Sequence, residues 1–338
     1  MKRKYLVILG IAIILVLGNF TKWLFRNQNK THNFSDTIQK NKIKKHKKFK
    51  TQDSLKIQAD DTTTNKKIDN PHGPTNSKEN IRLMSWNIQN FGKSKDANEI
   101  KYITKTLKDM DIVAIQEVSS TFVGPQAVAK LADELNRTGN KWLYAVSDPT
   151  TGTGTERYAY LWKPSRVRLI GEPFLEKSLA DEIDREPYLA RFECKGERVL
   201  LVNFHAVPQS KHPEREIELL PRIQSKYANE KIVMMGDFNL SQKSPAFEGM
   251  RKRGLKPALI NVKTSLRMRS NSTAPADYFS EEYDNFYFNP TQIDARTSQR
   301  IDFVRDFRSL EDARKISDHV PIVLEFVPRT QRRENFQR

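Results

Sequence analysis

From residue 85 onward, seven short polar motifs follow one another. They are Ser85-Trp86-Asn87, Gln116-Glu117, Glu156-Arg157-Tyr158, Asn203-Phe204-His205, Gly236-Asp237-Phe238-Asn239, Tyr283-Asp284 and Ser317-Asp318-His319. Most lie at the end of an apolar, β-branched run. Polar residues that end buried strands are delivered to one rim of a sheet, where sites are built. Two histidines, several carboxylates and the asparagines on one rim suit metal-assisted cleavage of a phosphate ester.

Each motif carries its own chemistry. The run Ile232 to Met235 reads as a buried strand, and Gly236 permits a sharp exit from it. Asp237 and Asn239 stand two apart, so on extended chain they face one way. An Asp can orient or deprotonate a water, and an Asn can hydrogen-bond a phosphate oxygen; the same pair also suits an ordinary turn. Asp318 and His319 precede the apolar run Val320 to Val327 and point to opposite faces. Asp318 can thus face a metal while His319 serves as acid or base. Glu117 ends the strand-like run Ile112 to Ile115, and a lone carboxylate there is a hard ligand for Mg2+ or Mn2+. The histidine spacing does not match a zinc site, and Cys194, the single cysteine, supplies neither a thiolate set nor a disulfide.

These residues need elements to hold them. Apolar runs at 81–88, 112–116, 157–162, 188–194, 199–205, 231–236, 283–288, 301–304 and 320–327 predict strands. Ile100, Ile103, Leu107 and Met110 recur at helical spacing, as do Val128, Leu131 and Leu135. Weaker helices are expected over 213–228 and 244–253. Strands with interposed helices predict a layered α/β domain, sheet packed on sheet with helices outside.

Charge divides the chain further. Residues 1–79 hold 17 Lys+Arg against 6 Asp+Glu, residues 80–328 hold 37 against 34, and residues 329–338 hold 4 against 1, so the net charge of +17 belongs mostly to the tails. Met1-Lys2-Arg3-Lys4 followed by the uncharged run Tyr5 to Leu17 predicts a signal anchor at 1–25, in preference to a cleaved signal peptide. It would associate with the membrane and leave the rest exported, as in a bacterial-type cell envelope; a secreted form is the alternative. Residues 26–79 have too few large apolar side chains to fold and are expected to be a basic, disordered tether. The catalytic domain is expected at 80–328, followed by a basic tail at 329–338.

The ordered set of motifs resembles the endonuclease/exonuclease/phosphatase superfamily, and within it the deoxyribonuclease I-like nucleases, over residues 80–328. Glu156-Arg157-Tyr158, Arg185-Glu186-Pro187 with Arg191-Phe192, the segment around Thr273 and Pro275, and Tyr283-Asp284 carry the closer likeness. The resemblance implies an α/β (α+β) four-layer sandwich of two mixed β-sheets flanked by helices. It implies a catalytic histidine pair, His205 oriented by Glu156 and His319 oriented by Asp284. Asp237 and Asn239 would position the scissile phosphate and the attacking water. Glu117, Asn87 and Asp318 would hold the divalent ion, Mg2+ or else Mn2+ or Ca2+. Arg191 and Arg185 would contact substrate. Ser119 stands where deoxyribonuclease I has a groove-contacting arginine, and the family's structural disulfide is absent.

Three readings follow: a monomeric metal-dependent endonuclease acting on DNA, a phosphodiesterase or phosphatase of the same fold acting on phospholipid or inositol phosphate, or a binding protein that keeps the fold. The first is preferred. The stretch 251–269, with seven cations and no acid, favours a polyanionic substrate.

Overall fold

The computed structural model describes residues 80–269 and 278–330. The expected anchor at 1–25, the tether at 26–79, the segment around Thr273 and Pro275, and most of the tail at 329–338 lie outside the described residues. In chain order the elements are β1 (Ile81–Phe91), α1 (Ala97–Leu107), β2 (Ile112–Val118), α2 (Val123–Asn136), β3 (Leu143–Val146), β4 (Arg157–Trp162), β5 (Val167–Leu175), β6 (Tyr188–Cys194) and β7 (Glu197–His205). Then come α3 (Glu214–Ile217), α4 (Leu220–Lys226), β8 (Lys231–Asp237), α5 (Glu248–Lys252), β9 (Lys256–Pro257), β10 (Asp284–Phe288), β11 (Ile293–Arg300), α6 (Leu310–Ile316) and β12 (Ile322–Pro328).

The strands form two mixed sheets. The first has the order β11-β12-β1-β2-β4-β3, the second β5-β6-β7-β8-β10-β9. Each has one parallel pair at its centre, β1 with β2 and β7 with β8, and antiparallel neighbours around it. A parallel pair needs a crossover, and helices supply it: α1 between β1 and β2, and α3 with α4 between β7 and β8. Alternation along the strands builds three cores. On β1, Ile81 and Leu83 face the second sheet, while Met84, Trp86 and Ile88 face α1, α2 and α6. On β7, Val199 and Leu201 face inward, while Leu200, Val202 and Phe204 pack under α3 to α5. The result is the expected sandwich of helices, sheet, sheet and helices.

Local signals account for α1. Asp96 caps α1 by accepting from Asn98 N and Glu99 N, and the Glu99 carboxylate reaches back to Asp96 N. Such a capping box is worth about 1 kcal/mol. Ile100, Ile103 and Leu107 then form the buried stripe. Two expectations are corrected. Residues 301–304 are not a strand: β11 ends at Arg300, and Ile301, Phe303 and Val304 are apolar because they pack beneath the first sheet's helices. The helix expected over 213–228 is two short ones, and 244–253 is a 3-10 turn leading into α5.

Candidate active site

The inward-facing row of each strand is apolar along its length and turns polar at one rim. On β1 the row runs Leu83, Ser85, Asn87; on β7, Leu201, Asn203, His205; on β8, Val233, Met235, Asp237. β4 and β10 run the other way, so Glu156 and Asp284 precede Tyr158 and Phe286. All of these polar side chains are buried. Of these, His205 and Asp237 open onto a cleft of about 510 Å3, which is also lined in part by His319, Glu117, Arg185, Asn239, Tyr283, Arg314 and Asp318.

At the centre stands Asp237. Its Oδ2 lies 3.5 Å from Nε2 of His205 and 3.5 Å from Nε2 of His319. Asn87 Nδ2 donates to the same oxygen at 3.0 Å, and Asn239 N donates to Oδ1 at 2.9 Å. The other ring nitrogen of each histidine meets a carboxylate. His205 Nδ1 lies 3.0 Å from both Glu156 oxygens, and His319 Nδ1 lies 2.7 Å from Asp284 Oδ2. Each dyad takes one member from each sheet: Glu156 leads into β4 and His205 ends β7, whereas Asp284 opens β10 and His319 leads into β12. The site therefore straddles the gap between the sheets.

Electrostatics follow from this packing. Burial disfavours the charged imidazoles, but the facing carboxylates outweigh it. His205 is raised by Glu156, with Arg185 opposing, and His319 is raised well above its ordinary value by Asp284 and Asp237. Burial pushes the Asp237 carboxyl up, yet His319 and His205 bring it below the usual range. Asp284 is raised, because burial together with the nearby Asp237 charge outweighs His319. Glu156 is lowered despite its burial, by His205 and Arg185.

Backbone geometry aims the side chains. Glu117 has φ 60° and Asn239 has φ 50°, both in the left-handed region. At Glu117 this accompanies a shift of register between β2 and β4, which turns the carboxylate out of the strand's alternation. The carboxylate is held by Asn87 Nδ2 at 3.1 Å and Asn90 N at 2.9 Å. Gly236, at φ 141°, is obligatory: a Cβ there would meet Phe204 O at 1.8 Å on the paired strand β7.

A divalent cation is suited by Glu117, Asn87 and Asp318. All three offer oxygen, and Asn87 Oδ1 and Asp318 Oδ1 are buried without a hydrogen-bond partner. Asp318 Oδ2 accepts from Gln89 Nε2 at 2.8 Å. A second constellation, Asp237, Asp284 and His319, also places ligand atoms within 4.8 Å of one another. An ion there would sit among the acid and base groups of the His319–Asp284 dyad, whereas the first set lies outside both dyads.

The structure brings together Glu156, His205, Asp237, Asn239, Asp284, His319, Glu117, Asn87 and Asp318. It does not bring Arg191 to them. Arg191 is mid-strand, opposite Leu200, and its guanidinium binds both oxygens of Glu230 between the Phe174 and Tyr227 rings. Glu230 precedes the start of β8, and Asp237 ends it, so Arg191 points to the opposite pole. Arg185 does line the cleft, but its guanidinium is buried against Glu156 Oε2 at 3.2 Å and Ala206 O. It neutralises Glu156 instead of standing open to a ligand. The stretch 251–269 likewise does not form one face. Lys256 pairs with Phe288 at the far end of β10, whereas Ser265 bridges to His319.

Three contributors escaped the motif reading. Thr264 Oγ1 donates to Asp284 Oδ2 at 2.6 Å. Arg314 NH1 donates to Leu266 O and Arg267 O, and its NH2 lies 3.6 Å from Asp318. Thr264 sits in coil and Arg314 in a short helix rich in charge, so neither gave a pattern. Gln89 did have a signal, since it continues the alternation from Ser85 and Asn87.

Residues 84–324 match the Endonuclease/Exonuclease/phosphatase family, and the chain belongs to it. Among curated relatives, Deoxyribonuclease-1 of Canis lupus familiaris is 33% identical over 172 residues, 47% of this chain and 60% of that protein. A Deoxyribonuclease of Thioalkalivibrio sp. (strain K90mix) is 30% identical over 191 residues, 53% of this chain and 51% of that one. The matches thus span half to three-fifths of these relatives' length. Among solved structures, an endonuclease/exonuclease/phosphatase from Bacteroides vulgatus superposes with TM-score 0.55 at 17% identity, covering 74% of this chain and 99% of its own. A Bacteroides thetaiotaomicron mannosyl-6-phosphatase gives 0.54 at 16%, covering 73% and 99%. At such identity the likeness concerns the fold.

Proposed function

We propose that this protein is a divalent-metal-dependent endonuclease that hydrolyses the phosphodiester bonds of DNA through its histidine pair. The observation that carries this reading is the pair of imidazole Nε2 atoms, each 3.5 Å from the one Asp237 carboxylate and each backed by its own buried acid. A carboxylate on Nδ1 fixes the tautomer and leaves Nε2 to exchange protons with substrate and water. Both histidines face two carboxylates; His319 has Asp318 nearby as a third and is the better proton donor, toward the leaving oxygen. His205 is opposed by Arg185 and is the more easily neutral, so it takes the proton of the attacking water. Asp237 and Asn239 orient water and phosphate between them. Glu117, Asn87 and Asp318 would hold the cation, Mg2+ or else Mn2+ or Ca2+, which when bound offsets phosphate charge. General acid and base steps are each worth about 10²- to 10⁴-fold.

The similarity to two deoxyribonucleases supports DNA as substrate. The phosphatase with the same fold keeps a second reading in play, hydrolysis of a phospholipid or inositol phosphate. A substrate panel separates them: relaxation of supercoiled plasmid against release of inorganic phosphate from those lipids and inositol phosphates. Plasmid relaxation without phosphate release is expected; the reverse would replace the nuclease reading. The apolar run from Tyr5 to Leu17 supports placement at the membrane with the catalytic domain exported, or secretion.

A further inference from the structure

Three residues of the sequence motifs take no part in the site, yet all three are fully buried: Ser85, Gln116 and Asn203. They make one connected strut. Gln116 Nε2 donates to Asn203 Oδ1 at 2.6 Å and to Ser85 Oγ at 3.1 Å, and Asn203 Nδ2 donates to Ile115 O at 3.1 Å. Ser85 and Gln116 belong to β1 and β2 of the first sheet, Asn203 to β7 of the second. The strut thus crosses the gap between sheets that is otherwise filled by residues such as Leu83, Ala114, Leu201 and Met235. Gln116 Oε1 has no hydrogen-bond partner. A polar group buried between apolar sheets opposes folding unless fully satisfied, and an apolar pair of the same volume would serve stability better.

Position supplies the reason for keeping it. Ser85 stands two residues before Asn87, Gln116 one before Glu117, and Asn203 two before His205. Both histidine–carboxylate dyads span the gap between the sheets, so a change in sheet spacing at this layer falls on both. We propose that the Gln116–Asn203 strut, footed on Ser85, is a positioning device: it sets the distance between the cation-side residues of the first sheet and His205 and Asp237 of the second. The proposal rests on the hydrolytic reading of the site above.

The test replaces the strut by apolar residues, Gln116→Met with Asn203→Leu, in the full chain. Thermal unfolding, hydrolysis of bis(p-nitrophenyl) phosphate and plasmid relaxation are measured beside the Mg2+ concentration needed for thermal stabilisation. The Nδ1–H proton resonances of His205 and His319 report the dyads independently of any substrate. The expected result is an unfolding temperature at or above wild type and an unchanged Mg2+ midpoint. The rate falls by about tenfold or more at unchanged KM, because small misplacements of reacting groups are costly. Both proton resonances shift. Either single variant orphans its partner and lowers both stability and rate. Unmoved resonances with a rate near wild type would overturn the proposal. So would a rate loss that merely parallels a drop in unfolding temperature, which would make the strut a packing element. If wild type hydrolyses neither substrate, the hydrolytic reading fails, while the proton resonances still decide the strut.

Discussion

Glu156→Gln separates charge from chemistry in one substitution. Three donors converge on the Glu156 carboxylate: His205 Nδ1 at 3.0 Å, Arg185 NH1 at 3.2 Å and Glu117 N at 3.2 Å. A glutamine keeps the shape but removes the charge and turns an NH2 toward one of those donors. The Arg185 side chain, 9% exposed, then becomes a buried cation without its partner. Breaking a buried pair in this way costs about 3–5 kcal/mol. Asp237 and Glu216 also lie near Arg185, so the low end, about 3 kcal/mol, is expected here. For a domain of this size that is a fall of about 6–12 °C in unfolding temperature. The rate should fall by about 10²- to 10⁴-fold, since His205 loses both its orienting acceptor and the charge that raises its basicity. Adding Arg185→Met removes the stranded cation. The double variant should regain most of the stability and none of the rate. Thermal unfolding and single-turnover plasmid cleavage measure both. A Glu156→Gln protein that cleaves at nearly the wild-type rate would refute the dyad. A double variant no more stable than the single would refute the buried-charge argument.

Further outcomes follow from the same geometry. Thr264→Val removes a donor to the Asp284 carboxylate and should slow cleavage by about tenfold with little change in KM; steady-state kinetics check it. Because His205 is raised in the folded state, its contribution to stability is fully present below an unfolded pKa of about 6.5 and is lost as pH rises through its raised folded value. The difference in unfolding temperature between wild type and His205→Gln should accordingly be largest in acid and shrink as pH rises, which a pH series of melts reads directly. Reversing Lys263, Arg267 and Arg269 should flatten the salt dependence of DNA binding, by about 0.9 in log–log slope for each phosphate no longer neutralised, whereas reversing Arg251, Lys252 and Arg253 should leave it unchanged. Equal effects would show that the two ends of this stretch act together.

What the residues alone made legible tracks burial. The central strands announce themselves because both faces are apolar, and their bounds agree with the sequence pattern closely at β4, β6 and β8. The four strands that gave no signal, β3, β5, β9 and β11, are the four sheet edges. β11, Ile-Asp-Ala-Arg-Thr-Ser-Gln-Arg, buries only its first residue and offers no alternation to find. At the site, side chains in fixed motifs at strand ends were found because the strand direction carries them to one rim. Arg191 falls away from the site, and Arg185 lines it as the partner of Glu156, for a related reason: a guanidinium's partner lies in a distant segment, Glu230 for one and Glu156 for the other, and neither spacing reveals the pair. Thr264 is invisible in sequence because its role depends on a coil segment packing against β10.

The most direct test of the histidine-pair account is relaxation of supercoiled plasmid by the full chain, purified in mild detergent, with Mg2+ and with chelator, beside His205→Ala and His319→Ala. The account predicts metal-dependent relaxation by wild type and a loss of about 10²-fold or more in each variant, both variants remaining folded. Relaxation that persists at wild-type rate in either folded variant, or in chelator, would contradict it.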